Sequence, residues 1–471
     1  MENRWHAHPD PSIESLLQSA DASILAGALS HPRIENDPYA RLRAIDRLHQ
    51  LLPGHQQTQH MWLQLMLMSN RTEPVWDWLQ RALRDGALDG HLLILAAQVA
   101  QVSGDREMAR TLYLRRIQHQ PDDVDAWQKY LESSALHAPR ASFAVQLEDM
   151  LTRAPDAYAA EKLQFALAAC LIPTDPERAF SLAATAQNLK KRRIPSWQPS
   201  ELQQRLRNDL QLATSTPARA SHLTPQMLFI VGMPRSGTTL LSSLLGAHSA
   251  LCNVGEQNLV PSLARQTITR PNTPTTSALI DFASKWYRAA TNDLCPTGTI
   301  SVDKLPANIE HCGFILACLP AAKIIHIRRH SHDCATSIHL RDFDFGCGYA
   351  TSAEKIAHYD ALTYTHIHQI GQIHPGRVIT TNFEDLITAP EPTLSTILLQ
   401  LNLQWEPQML EFWKNRQGTA TFSEAQVRRP LNADGLGISK RAGKAATAFL
   451  LDYDRAYATV LANTQHERPH S

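Results

Sequence analysis

Apolar and polar positions follow two different rhythms along this chain. From about residue 12 to 213 the apolar residues recur at the three-and-four spacing of amphipathic helices, interrupted by short breaks such as Pro53-Gly54, Arg84 to Gly86 and Ala138 to Arg140. No alternating strand pattern interrupts them. The spacing predicts an all-α region over residues 1–213. A Pro/Ser/Thr-rich stretch, STPARASHLTP, then predicts a linker over 214–226, following a last helix at roughly 200 to 213. Beyond it the texture changes to short β-rich runs, MLFIVGM, TISVDK (299–304), KIIHI (323–327) and RVITTNF (377–383), separated by helical stretches. Strands alternating with helices predict a parallel α/β sheet over 227–471, with its site at the carboxyl ends of the strands.

A repeat register is visible in the helical half. Gly104, Ala109, Tyr113 and Pro121 fall at the spacing of the second helix of a tetratricopeptide (TPR) unit, and Pro155 lies 34 residues beyond Pro121. Trp127 and Leu131 repeat Leu93 and Ala97 one period on, as Phe143 and Leu147 repeat Ala109 and Tyr113. An all-α TPR-like domain is therefore expected, whose concave surface would hold a peptide or protein acceptor or else only support the second domain. The basic tetrad Lys190 to Arg193 reads as a solvated helix end.

Composition narrows the field. Lys plus Arg and Asp plus Glu both number 45, so no basic excess points to nucleic acid. No apolar run reaches the length of a membrane span, and the N-terminus lacks a basic segment followed by an apolar one. Seven cysteines without a C-x-x-C pair describe no disulfide framework and favour a reducing compartment. A cytoplasmic protein is expected, as a monomer or an oligomer.

Candidate chemistry concentrates after the first predicted strand. In GMPRSGTTLL, Gly232 and Gly237 stand five apart, as in the loop that wraps phosphate with backbone N–H groups at a helix N-terminus. Thr238 takes the place of that loop's lysine, and Thr239 follows. The loop keeps its amides and hydroxyls but lacks the ammonium that reaches the outer phosphates of a nucleoside triphosphate, while Arg235 supplies positive charge. A nucleotide kinase would need lysine at position 238.

GMPRSGTTLL resembles the 5′-phosphosulfate loop of sulfotransferases that use 3′-phosphoadenosine 5′-phosphosulfate (PAPS). The closest likeness is to tyrosylprotein sulfotransferases and bacterial TPR-repeat sulfotransferases. The resemblance covers about 226 to 445 and implies the sulfotransferase fold, with PAPS as co-substrate and no metal. It implies that Arg235, Ser236, Gly237, Thr238 and Thr239 bind the phosphosulfate. Glu256, 21 residues after Arg235, matches the family's general base, and Lys304, in the D-K-x-P element, matches the cation on the leaving oxygen. In RRHSHDCATSIHLRDF, Arg329 and Ser337 match the 3′-phosphate segment, although His330 replaces the usual aspartate and Asp333 is a candidate substitute. Phe383 stands where relatives carry tyrosine near the adenine. Lys440, in QVRRPLNADGLGISKR, belongs to the segment that resembles the family's closing loop. His326, His330, His332 and His339 carry no accompanying ligand pattern for a metal. The resemblance implies sulfuryl transfer to a tyrosine of a peptide or protein, with Arg428, Arg429, Arg441 and Lys444 favouring acidic flanking sequence. Carbohydrate, lipid and small phenolic acceptors stay open, as does a scaffold that binds nucleotide without turnover.

Overall fold

The computed structural model describes residues 5–86, 88, 90–133, 140–216, 226–268, 277–343, 346–414 and 429–466. Its first half is helical. Helices α1 (Pro11–Leu17), α2 (Ala22–Leu29), α3 (Pro32–Glu35), α4 (Pro38–Leu51), α5 (Gln56–Met68) and α6 (Thr72–Arg84) open the chain. They lead into α7 (Gly90–Val102), α8 (Arg106–His119), α9 (Val124–Ser133), α10 (Arg140–Thr152), α11 (Ala157–Leu171), α12 (Pro176–Arg193) and α13 (Pro199–Ser215). Many starts are set locally. Asp37, Asp105, Asp156 and Asp175 each accept a backbone N–H three residues on, and Pro38 and Pro176 fill first-turn positions where no N–H is needed. Leu93, Ala97, Ala109, Tyr113, Trp127, Leu131 and Leu147 are buried together in the core of this half.

The second half is a five-stranded, wholly parallel sheet in the order β2-β3-β1-β4-β5. The strands are β1 (Met227–Val231), β2 (Leu251–Gly255), β3 (Ile300–Lys304), β4 (Ala322–Arg328) and β5 (Val378–Asn382). β1 lies at the centre, with Ile230 level with Lys304 on one side and Ile325 on the other. It is apolar throughout because helices cover both faces, as a parallel sheet requires. Intervening helices are α14 (Thr238–Leu245), α15 (Val260–Ile268), α16 (Ser277–Thr291), α17 (Cys312–Cys318), α18 (Ser331–His339), α19 (Ala353–Ile373), α20 (Phe383–Thr388) and α21 (Pro390–Gln400). The chain closes with α22 (Ile438–Arg441) and α23 (Thr447–His466). Phe229 and Val231 pack on one face with α13, α16 and α19, while Leu228 and Ile230 pack on the other with α14 and α21.

The two halves are locked by buried polar bonds. Asp37 accepts from Trp286 Nε1 (2.9 Å), and Arg71 pairs with Asp293 while donating to the carbonyl of Ala290 (2.8 Å). Asp209 on α13 accepts from the backbone N–H of Gly313 (2.6 Å) and Phe314 (2.8 Å) and bonds His366 Nε2 (2.9 Å). α13 thus packs within the α/β core, although the sequence reading groups it with the repeats; 217–225 of the expected linker lie outside the described residues.

The structure corrects three expectations. β2 is a fifth strand that the run LCNVG did not announce. Lys190 is not a solvated helix end: it is 2% exposed and pairs with Asp342, and Arg193 pairs with Glu161. Cys252 on β2 and Cys295 form a disulfide, where the cysteine spacing gave no pair. Among the described residues no helix is long and apolar enough to cross a membrane.

Candidate active site

Parallel strands bring their carboxyl ends to one edge, and five segments meet there. The first is the loop from Gly232 to Gly237. Gly237, at the N-cap of α14, has φ +105°, and a Cβ on it would stand 2.5 Å from Phe383 Cδ2, so only glycine fits. Arg235 adopts φ +70°, a conformation that costs a non-glycine residue roughly 1–2 kcal/mol and that concentrates at functional sites. Thr238 and Thr239 are buried in the first turn of α14, whose leading amides have no partner within the helix.

The second and third segments carry the candidate base and cation. Gly255 ends β2 in a left-handed turn (φ +76°), and Asn70, donating to the carbonyl of Val254 (3.2 Å), packs where its Cβ would go. Glu256 follows, with its side chain 37% exposed. Lys304, the last residue of β3, is wholly buried and forms an ion pair with Glu256. Beneath them Asp303 accepts from Tyr287 OH (2.8 Å), and burial pushes its carboxyl up to about 7.

The fourth segment, β4 into α18, supplies the 3′-phosphate candidates. Arg235 Nε donates to Ser337 Oγ (3.1 Å), so the loop and α18 meet directly. Arg329 donates to the carbonyls of Arg235 (2.8 Å) and Gly435, and its guanidinium lies 5.0 Å above the Phe383 ring. Its orientation is therefore set by backbone carbonyls and an aromatic face, with no acidic neighbour needed at position 330. His330 instead donates its backbone N–H to Glu384 (2.9 Å). Asp333 serves another purpose. It accepts from the backbone N–H of Gly437 (2.7 Å) and Ser439 (3.0 Å) and from Ser439 Oγ, and so fastens the fifth segment, 435–440, over α18. Lys440 stands exposed on α22 next to Ser439. Phe383 is buried beneath Gly237 and Gly435.

Cationic side chains gather at this edge. Desolvation, and then the neighbouring charges of Arg341 and Arg329, push the Arg235 guanidinium down to about 9. Ser236 Oγ and Arg329 Nε are buried and have no hydrogen-bond partner among the described residues. Orphaned donors beside a guanidinium cluster fit a phosphorylated ligand. Arg341, two residues past the end of α18, lies near enough to Arg235 for their charges to interact, although the sequence reading did not assign it; its spacing of four from Ser337 was the available signal.

The remaining expectations sort as follows. Arg429 pairs with Asp434, Arg441 donates to the carbonyls of Asp434 and Leu436, and Arg428 lies outside the described residues. His339 packs between the rings of Phe180 and Phe449, and His332 pairs with Asp454. Among the described residues no group of three or more His, Cys, Asp or Glu side chains is placed to hold a metal ion.

Comparison with known proteins places the same half in a known setting. Residues 225–407 match the sulfotransferase family model. An uncharacterized protein of Aquifex aeolicus (strain VF5) is 30% identical over 227 residues, covering 44% of this chain and 29% of that protein's own length. A putative protein-tyrosine sulfotransferase of Caenorhabditis briggsae is 28% identical over 229 residues, 45% of this chain and 79% of that one. Among solved structures, the sulfotransferase domain from the Synechococcus PCC 7002 olefin synthase aligns with 52% of this chain and 97% of its own, at 19% identity and a TM-score of 0.35.

Proposed function

We propose, on the premise that residues 225–407 are a sulfotransferase-family domain, that this chain is a PAPS-dependent O-sulfotransferase and that tyrosine of a peptide or protein is its acceptor. The observation that carries this reading is the Glu256–Lys304 pair held at the strand ends beside a guanidinium-lined phosphate loop. The amides of 235–239, with Ser236, Thr238 and Thr239, suit the 5′-phosphosulfate of the donor, and Arg329, Ser337 and Arg341 suit its 3′-phosphate. Phe383 packs against Gly237 and Gly435, and Lys440 on the 435–440 segment would add a further cation to the donor site.

In the transfer the acceptor oxygen attacks sulfur in line with the bridging oxygen. The new O–S bond forms as the S–O bond to the phosphate breaks, and adenosine 3′,5′-bisphosphate leaves. Glu256 takes the acceptor's proton. Lys304 stabilises the charge that builds on the departing oxygen, a contribution made chiefly in the transition state. Without substrate the two side chains pair directly, and Glu256 would turn from Lys304 to meet the acceptor hydroxyl.

The tyrosine acceptor draws support from the Caenorhabditis relative and from the repeat-like helical half, whose concave face would hold a polypeptide. The deciding experiment is calorimetric titration with adenosine 3′,5′-bisphosphate and, separately, ATP with magnesium, followed by transfer assays from PAPS to tyrosine peptides, phenols and carbohydrates. Binding of the bisphosphate but not ATP, with transfer to the peptides, is expected. Preference for ATP would refute the donor assignment, and transfer only to a sugar or small phenol would refute the acceptor.

A further inference from the structure

Five residues after Ser337, the chain is gripped by side chains from the helical half. Asp342, whose side chain has no exposed surface, lies between the ammonium groups of Lys162 on α11 and Lys190 on α12, both nearly as buried. Gln128 on α9 approaches the same carboxylate (3.4 Å). Lys190 also donates to the carbonyl of Phe343. Gln187 Nε2, one turn before Lys190, donates to the carbonyls of His339 (2.9 Å) and Arg341 (3.2 Å). Three helices of the repeat-like half therefore hold both flanks of Arg341 by backbone and side chain.

Burying two ammoniums and one carboxylate is costly, and apolar residues of similar volume would often serve stability as well or better. A clamp of this kind placed on 339–343 accomplishes something an apolar plug would not: it fixes the direction of the chain at Arg341, against the repulsion of Arg235. We propose that the helical half is a working part of the donor site, with Asp342, Lys162, Lys190 and Gln187 as positioning residues that keep Arg341 in the phosphate cluster. This rests on the reading of that cluster as the donor's phosphate site. It assigns the helical half a role in nucleotide recognition, separate from any hold on the acceptor.

The test compares affinity for adenosine 3′,5′-bisphosphate and adenosine 5′-monophosphate in the full chain, together with thermal midpoints. Asp342→Asn strands two buried ammoniums and is expected to fold poorly. The informative variant is therefore Lys162→Met/Asp342→Leu/Lys190→Met, which removes all three charges together. It is expected to melt near the wild type while binding the bisphosphate about ten-fold more weakly or worse, the loss of one charge-assisted hydrogen bond. Its monophosphate affinity is expected to stay within about three-fold, because the 3′-phosphate contact is the one that Arg341 supplies. Lys190→Arg, which preserves the charge, is expected to retain the wild-type ratio. If the triple variant does not fold, uncharged Gln187→Met reads the same ratio. A folded variant with wild-type bisphosphate affinity, or one that loses both nucleotides equally, overturns the positioning role. A wild-type chain that does not distinguish the two nucleotides overturns the donor-site reading itself, and the clamp's role with it.

Discussion

Lys304 has no exposed surface, yet its ammonium is paired with Glu256, whose side chain is 37% open to solvent. The buried partner is thus anchored and the exposed one is free to turn toward an incoming hydroxyl. Glu256→Gln keeps the shape and removes the proton acceptor, so transfer is expected to fall by about 10²-fold or more while bisphosphate affinity stays within about three-fold. Lys304→Met is expected to lower kcat by about 10²- to 10³-fold, the usual cost of one transition-state donor. Equal loss of transfer and donor binding in Glu256→Gln would show that the residue serves the fold and not the chemistry.

The guanidinium cluster predicts strong salt dependence. Arg235 meets the like charges of Arg341 and Arg329, so a bound polyanion relieves repulsion as well as gaining hydrogen bonds. Bisphosphate is expected to raise the thermal midpoint at low ionic strength and to do so less as sodium chloride rises toward 0.5 M, read by calorimetry over a salt series. Arg329→Ala is expected to weaken binding by at least about ten-fold and to flatten that dependence. A slope unchanged in the variant would remove Arg329 from the phosphate site.

Asp303 gives a pH signature. Its carboxyl is raised from the usual 3.8 to about 7 by burial, so folding favours its protonated form. The stability it contributes is fully present below about pH 4 and is lost as pH rises through 7. Thermal midpoints measured from pH 4 to 8 are expected to decline across that window in the wild type and to decline less in Asp303→Asn, which keeps a partner for Tyr287. Superimposable curves would show that Asp303 does not titrate in this range.

Gly237→Ala tests the loop's geometry. A methyl group there meets Phe383 Cδ2 at 2.5 Å and forces an unfavourable φ. A stability loss of roughly 1–3 kcal/mol is expected in denaturant titrations, together with weaker bisphosphate binding. Wild-type stability with wild-type affinity would contradict the close packing of the loop on Phe383.

Much of the candidate site could be picked out in the sequence because its signals are local. The loop glycines, Lys304 at the end of TISVDK and the Arg329 to Ser337 interval each need only neighbouring residues to be read. β2 was not legible: LCNVG mixes cysteine, asparagine and glycine, and it becomes a strand through pairing with β3 and support from Asn70, 184 residues away. Lys190 misled for a related reason. Four consecutive basic residues describe a solvated surface until a carboxylate 152 residues distant reaches one of them. Arg341 carries no motif of its own, and its place in the cluster depends on how α18 ends. Asp333 was read as a substitute for a missing acid, whereas its partners are the amides of Gly437 and Ser439, on a segment whose approach to α18 no local pattern announces.

Asp209 bears on how such a protein can be rearranged over evolutionary time. Its carboxylate caps the first amides of α17 and bonds His366, so α13 supplies the interior of a domain that begins, by family match, only at residue 225. Recombination that joined a foreign set of helices at that point would leave three buried groups without their partner. A viable crossover must fall upstream of Pro199, and the heritable unit begins before the family-matched segment does.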